Sequence, residues 1–225
     1  MTPDIIYEDN HVIVAVKPPN LLSQADRTGD GDLLSALKEY IREKYQKPGE
    51  VYLGLVHRLD RPVGGLMVFA RTSKAAARLS AQLQKHDVGR EYLCVCEGAV
   101  AGPLRLTDCL LKDKQKNHVA VVPAGTPGAQ TAILNCTPLQ TREGLTLCAI
   151  RLETGRSHQI RVQMAHAGHP LWGDNRYGHG VPGQQVALWG YRLTFEHPVS
   201  HKLLTFERMP EGGVWSSFDR PAPET

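Results

Sequence analysis

Leu53-Gly54-Leu55-Val56 and Leu66-Met67-Val68-Phe69-Ala70-Arg71 enclose the segment His57-Arg58-Leu59-Asp60-Arg61-Pro62-Val63-Gly64-Gly65. The flanks are apolar runs of strand length, and the charged, Gly- and Pro-bearing interior reads as a turn between them. A carboxylate set among arginines is held ionised by the opposite charge. On its own the segment fits a surface ion pair as well as a catalytic turn.

Outward from this turn, the chain reads as many strands with three helices among them. Ile5–Glu8, the turn pair Asp9-Asn10 and His11–Lys17 predict a hairpin that Pro18-Pro19-Asn20 stops. Asp32 is placed to cap a helix from Leu33 to about Tyr45, with Leu33, Leu37, Tyr40, Ile41 and Tyr45 on its apolar stripe. Ser73 is placed to cap a second helix to about Lys85, with Ala76, Leu79 and Leu83 facing inward. Tyr92–Cys96, Val119–Val122, Thr131–Cys136, Leu145–Leu152, Val186–Phe195 and Leu203–Phe206 predict further strands. Ser157 is the expected cap of a short third helix ending near Gly168, with Ile160, Met164 and Ala167 buried. Strands and helices do not alternate regularly, so the expected class is α+β (mixed α/β), not a doubly wound parallel sheet. No long linker divides the chain, and one domain over residues 1–225 is expected.

Composition excludes several classes. Of the 225 residues 41% are apolar and 22% charged, as in ordinary globular proteins. The apolar runs are far shorter than the roughly 18 residues a membrane helix needs, and no signal peptide opens the chain. Five cysteines (Cys94, Cys96, Cys109, Cys136 and Cys148), odd in number and without a Cys-x-x-Cys pair, fit a reduced cytoplasm better than a disulfide scaffold. Cys94 and Cys96 alternate, so they are expected on one strand face as small buried residues. Residues 51–200 carry 17 basic and 10 acidic side chains, net +7, against −3 for residues 1–50 and −1 for 201–225. From Asn117 to Ser200 every Lys or Arg is an arginine, whose planar fork suits phosphate.

Cofactor and metal signals are weak. Gly178-His179-Gly180-Val181-Pro182-Gly183 matches a dinucleotide fingerprint by letter, but it opens no helix and reads as a loop. His158, His166 and His169 lack a carboxylate or Cys at ligand spacing, so no metal site is expected. Trp172, Trp189 and Trp215 read as packing residues. The stronger signal is Thr154-Gly155-Arg156-Ser157-His158-Gln159-Ile160-Arg161, where a helix start offers backbone amides to phosphate. His158 and Arg161 share a face there.

Together these segments resemble the RluA-type RNA pseudouridine synthases. His57-Arg58-Leu59-Asp60 is similar to the family signature, and Lys17-Pro18-Pro19-Asn20 to its early Lys-Pro segment. Arg90-Glu91-Tyr92 resembles its Lys-x-Tyr motif, Thr154–Arg161 its Thr-Gly-Arg motif, and His169-Pro170-Leu171-Trp172-Gly173-Asp174 its Gly-Asp loop. The resemblance implies the pseudouridine synthase fold, a mixed, largely antiparallel central sheet with flanking helices. It also implies a catalytic carboxylate at Asp60, Tyr92 against the target uracil, and Arg161 paired with Asp60; from the Coulombic attraction of such a pair we expect the carboxylate to stay charged once RNA shuts out water. Arg58 would enter the RNA stack in place of a flipped-out uridine, while His57, Arg156, His158 and Gln159 would contact RNA. No cofactor, membrane or obligate protein partner is implied; the partner is structured RNA, tRNA or rRNA. The chain departs from the family at Arg90, in place of Lys, at Val63-Gly64, in place of Thr-Ser, and at Gln163, in place of His. The small RNA-binding domain that precedes the catalytic region in many relatives is not expected here. A catalytically silent RNA-binding module and a glycosidase are the alternatives; the second needs a partner carboxylate about 5–9.5 Å from Asp60 that the motifs do not provide.

Overall fold

Val12–Lys17 forms strand β2, six consecutive buried residues, which is what a Val/Ile/Ala run does when both faces of a strand are covered. In the computed structural model, which describes residues 2–219, the chain divides into two compact units. One comprises Met1–Gly89 with Gly190–Arg208, the other Arg90–Trp189 with Met209–Thr225.

In the first unit β2 lies between β1 (Asp4–Glu8) and β4 (Gly64–Ala70), antiparallel to both, with Asp4 opposite Val16 and Lys17 opposite Gly65. The turn between β1 and β2 is closed by Asp9, whose Oδ1 accepts the amides of His11 (2.7 Å) and Val12 (2.8 Å). The short β3 (Gly54–Leu55) pairs antiparallel with β4. Beside β4 runs β10 (Leu188–Glu196), which carries β11 (Leu203–Glu207) antiparallel on its far side.

Helix α1 (Leu33–Lys44) begins as predicted, with Asp32 Oδ1 accepting the Ser35 amide at 2.9 Å. Its buried residues are Leu33, Leu37 and Ile41. Tyr40 and Tyr45, expected on the same stripe, instead turn their hydroxyls to the Glu8 carboxylate at 2.9 and 2.7 Å. A phenol at the edge of an apolar stripe keeps its polar tip where a partner is available. Helix α2 (Ser73–Gln84) is capped by Thr72, one residue before the expected Ser73, because the Thr72 hydroxyl accepts the Ala75 amide. Ala75 and Leu79 are the buried residues, rather than Ala76 with Leu83.

In the second unit five antiparallel strands run in the order β5 (Gly89–Glu97), β9 (Leu145–Leu152), β8 (Gln130–Arg142), β6 (Leu104–Asp113) and β7 (His118–Val122). Cys94 opposes Cys148, and Leu134 opposes both Leu106 and Leu152 on its two sides. Strand β6 was not expected. Its apolar residues are interrupted by Arg105, Asp108 and Lys112, and only Leu110 is fully buried, so a half-solvated strand reads like a polar connection. Cys94, Cys96, Cys136 and Cys148 are all buried free thiols, with Cys96 and Cys148 Sγ 3.9 Å apart.

Helix α3 (Gln159–His166) packs Val162 against Leu110, Val119 and Ala132. It departs from prediction at its start. Ser157 is not its cap; His158 takes that place in a left-handed conformation (φ 53°), and no side chain caps the helix. The Ser157 hydroxyl faces Lys112 Nζ at 3.0 Å. Every residue from Gln159 to Met164 is buried, so the one-sided apolar stripe is absent as well. No helix among the described residues is long and apolar enough to cross a membrane.

Candidate active site

In the first unit a turn presents Asp60. The Val63 amide donates to the Asp60 carbonyl at 2.9 Å, and Ser23 grips Leu59 from behind. Ser23 Oγ donates to the Leu59 carbonyl (2.8 Å) and accepts its amide (3.2 Å), with both residues buried. Arg58 is exposed and Asp60 half-buried, so the residues on either side of the clamp face outward to differing degrees. His57 Nε2 accepts the Val68 amide at 3.1 Å, which makes its ring a brace between the turn and β4. Arg61 is exposed and pairs with Asp30 at 2.7 Å.

Lys17 is the residue that sequence reasoning quoted without a role. Its side chain is wholly buried, and Nζ donates to the carbonyls of Pro18 (3.1 Å), Leu21 (2.7 Å) and Arg61 (3.1 Å). One ammonium therefore joins the 18–21 bend to the turn that carries Asp60. Burial pushes the Lys17 pKa down to about 7; the negative charge of Asp60 opposes that shift and Arg61 adds to it. The sequence signal was a lysine ending the apolar run Val12–Val16, where a strand's next residue stays inside.

The position after Val63-Gly64 is equally constrained. Gly65 has φ +133°, and a Cβ there would lie 2.4 Å from both the backbone N and O of Gly190. Only glycine fits. Val63 and Gly64, which replace the two hydroxyl residues of the resembling motif, are both buried.

In the second unit Tyr92 lies on β5 opposite Ile150 and is 8% exposed. Arg161, on α3, binds Asp174 through two parallel bonds, Nε to Oδ2 (2.7 Å) and Nη2 to Oδ1 (2.8 Å). The two side chains are 5% and 0% exposed. Asp174 Oδ1 also accepts the amides of Arg176 (3.0 Å) and Tyr177 (3.2 Å). Burial by itself would raise the Asp174 pKa; the bonds and charge of Arg161, with those two amides, outweigh it and hold the carboxyl below its ordinary value. The Arg161 guanidinium lies 5.2 Å from the centre of the Tyr177 ring. Tyr177 Oη accepts the Val119 amide (2.9 Å) and meets His158 Nδ1 at 2.6 Å. Arg161 was assigned one carboxylate from sequence, Asp60; its own unit supplies Asp174. Asp174 was visible only as the last letter of a motif.

The remaining residues proposed for RNA contact divide by exposure. Arg156 is exposed, with Nε tied to the Thr131 carbonyl at 2.9 Å. His158 and Gln159 are buried. Gln159 Oε1 accepts the Arg156 amide (2.9 Å) and the Thr154 hydroxyl (2.8 Å), while Nε2 donates to the Ile133 carbonyl (3.1 Å), so it pins the Thr-Gly-Arg loop to β8. Gln163 is also wholly buried and donates to Asp108 (2.7 Å) and to the Ala132 carbonyl (3.2 Å). Among the described residues no group of three His, Cys, Asp or Glu is placed to hold a metal ion.

The sequence matches the RNA pseudouridylate synthase family over residues 11–166. It is 40% identical to the ribosomal large subunit pseudouridine synthase D of Yersinia pestis, over 98% of this chain and 67% of that protein. It is 35% identical to the protein of the same name from Escherichia coli O6:H1, with the same coverage. The solved structure of human RNA pseudouridylate synthase domain containing 4 superposes with a TM-score of 0.75 at 18% identity, covering 92% of this chain and 88% of that one. That likeness identifies the fold, an α+β pseudouridine synthase fold with a largely antiparallel sheet and flanking helices. The matched stretch takes in the Asp60 turn, Tyr92 and Arg161, and on that extent and identity the chain belongs to the RNA pseudouridylate synthase family.

Proposed function

We propose that the chain converts uridine to pseudouridine in a large-subunit ribosomal RNA, with Asp60 as the acting carboxylate, Tyr92 against the uracil and Arg161 as the cation that keeps Asp60 charged. Isomerisation of uridine in RNA is the activity of the family. Ribosomal RNA as substrate follows the names of the relatives at 35–40% identity, and tRNA is the second class to test. The observation that carries the residue roles is the engineering around Arg161. A guanidinium buried to 5% exposure, gripped side-on by an acid and backed by an aromatic ring, is held in one orientation. Arg161 has five N–H donors and gives two to Asp174.

The chemistry asks for such an arrangement. The glycosidic bond must break, the base must turn while trapped, and carbon 5 must bond to the sugar. A paired base cannot do this within a helix, so it is flipped out at a cost of a few kcal/mol. The exposed Arg58 fills the vacated stack, and stacking of the uracil on Tyr92 contributes about 1–3 kcal/mol. A carboxylate sealed from water favours its neutral form; a guanidinium beside it restores the charge. One catalytic domain comprising residues 1–225 carries these roles.

The experiment is incubation of transcribed ribosomal RNA and tRNA with the protein, followed by pseudouridine mapping. Wild type should modify discrete uridines in ribosomal RNA, and Asp60→Asn should bind that RNA yet form no product. Product from Asp60→Asn at the wild-type rate would overturn the assignment of Asp60, and modification confined to tRNA would overturn the assignment of substrate.

A further inference from the structure

Arg90 stands on β5 two residues before Tyr92, so the two side chains leave the strand on the same face. Its guanidinium lies against Gly155 in the Thr-Gly-Arg loop. A Cβ on that glycine would fall 2.6 Å from Nη1, 3.0 Å from Nη2 and 3.3 Å from Cζ, so the missing side chain is what admits the cation. The Nε of Arg90 is buried without an acceptor. Among the described residues the guanidinium makes no hydrogen bond or ion pair at all, although Arg90 is half-buried.

Glu91 beside Arg90 and Glu153 beside Gly155 do not supply the missing acceptor. Glu153 is held by Arg105 (2.8 Å) and Asn135 (2.9 Å), and Glu91 leaves β5 on the opposite face. Partly desolvating a permanent charge without a partner is costly, and such a group calls for an explanation. Arg161 in the same unit shows the contrast, since its burial is matched by a carboxylate. Beside Gly155, the exposed Arg156 ties its Nε to the Thr131 carbonyl and adds a second guanidinium to the loop.

We propose that Arg90, laid over Gly155, binds a phosphodiester of the RNA beside the nucleotide that meets Tyr92. The inference rests on the RNA reading above and adds to it a phosphate contact. A planar fork recognises phosphate through paired bonds, and holding it ready in the free protein leaves little ordering to be done on binding.

Arg90→Gln and Arg90→Lys in the full chain test this against an RNA that wild type modifies. Arg90→Gln should bind about tenfold more weakly, with a salt slope shallower by about 0.7–0.9, the loss of one phosphate contact. Arg90→Lys should keep the slope. Because Arg90 has no hydrogen-bond or ion-pair partner among the described residues, the thermal midpoint of Arg90→Gln should stay within about 2 °C of wild type, whereas an arginine serving the fold would lower it. Single neutral methylphosphonate linkages placed around the target should reveal one position that costs wild type about tenfold and costs Arg90→Gln nothing more. Unchanged affinity and slope in Arg90→Gln, or equal penalties in both proteins at every linkage, overturn the phosphate contact while leaving the function intact. A wild type that modifies no RNA overturns both.

Discussion

Replacing Asp174 by Asn should be among the most damaging isosteric changes available in the second unit. The carboxylate is fully buried and accepts four bonds, from Arg161 Nε and Nη2 and from the amides of Arg176 and Tyr177. Asparagine can retain the bonds to Oδ1 but sets an N–H against Arg161 Nε. The guanidinium is then left in the interior without its counter-charge. Removing one member of a buried ion pair costs about 3–5 kcal/mol, which for a chain of this length is roughly 6–20 °C in the thermal midpoint. Urea titration at neutral pH reads the loss directly, provided the slope is unchanged. A companion variant, Asp174→Leu with Arg161→Met, removes both charges and should recover much of the stability, since the penalty lies in the orphaned cation. The pH dependence has a fixed sign. The folded-state pKa of Asp174 lies below its ordinary 3.8, so its contribution is present above that value and is lost as pH falls through the folded one. Asp174→Asn should lose that part of the wild-type acid sensitivity. A loss under about 1 kcal/mol at neutral pH would refute the reasoning, because it would give the pair no more weight than an exposed one.

Gly65→Ala should fail to fold or lose more than about 3 kcal/mol, since its Cβ would meet the Gly190 backbone at 2.4 Å; soluble yield and circular dichroism decide, and a near-native urea midpoint counts against the close approach. Lys17 has a folded pKa of about 7 against 10.5, so between those values the unfolded chain binds a proton that the native state lacks. Stability should therefore rise with pH across that window, by up to a few kcal/mol more in wild type than in Lys17→Met, and parallel profiles would contradict the shift. Tyr177→Phe keeps the ring under Arg161 but strips the Val119 amide of its acceptor and removes the bond to His158, costing about 1–3 kcal/mol by urea titration; no measurable cost would mean that water replaces the hydroxyl.

Local patterns carried much of the architecture. The Val12–Val16 run, the Asp32 cap and the motif order were legible because each depends on residues a few positions apart. Misreadings arose where distant partners overrode local preference. Strand β6 was hidden because a half-solvated strand tolerates Arg105 and Lys112 on its wet positions. Ser157 lost the cap of α3 because His158 is held to Tyr177 and Gln159 to Ile133, contacts spanning 19 and 26 residues.

By itself the sequence determined the family and the candidates for chemistry, since motif spacing and side-chain type are properties of the chain alone. Only the folded molecule decided which charges meet. Lys17 reaches a carbonyl 44 residues away, Arg161 takes Asp174 within its own unit, and Arg90 is laid over Gly155 without an anion. The physical reason is that the energy of a charge depends on its burial and on what stands within a few ångströms, and chain closure sets both.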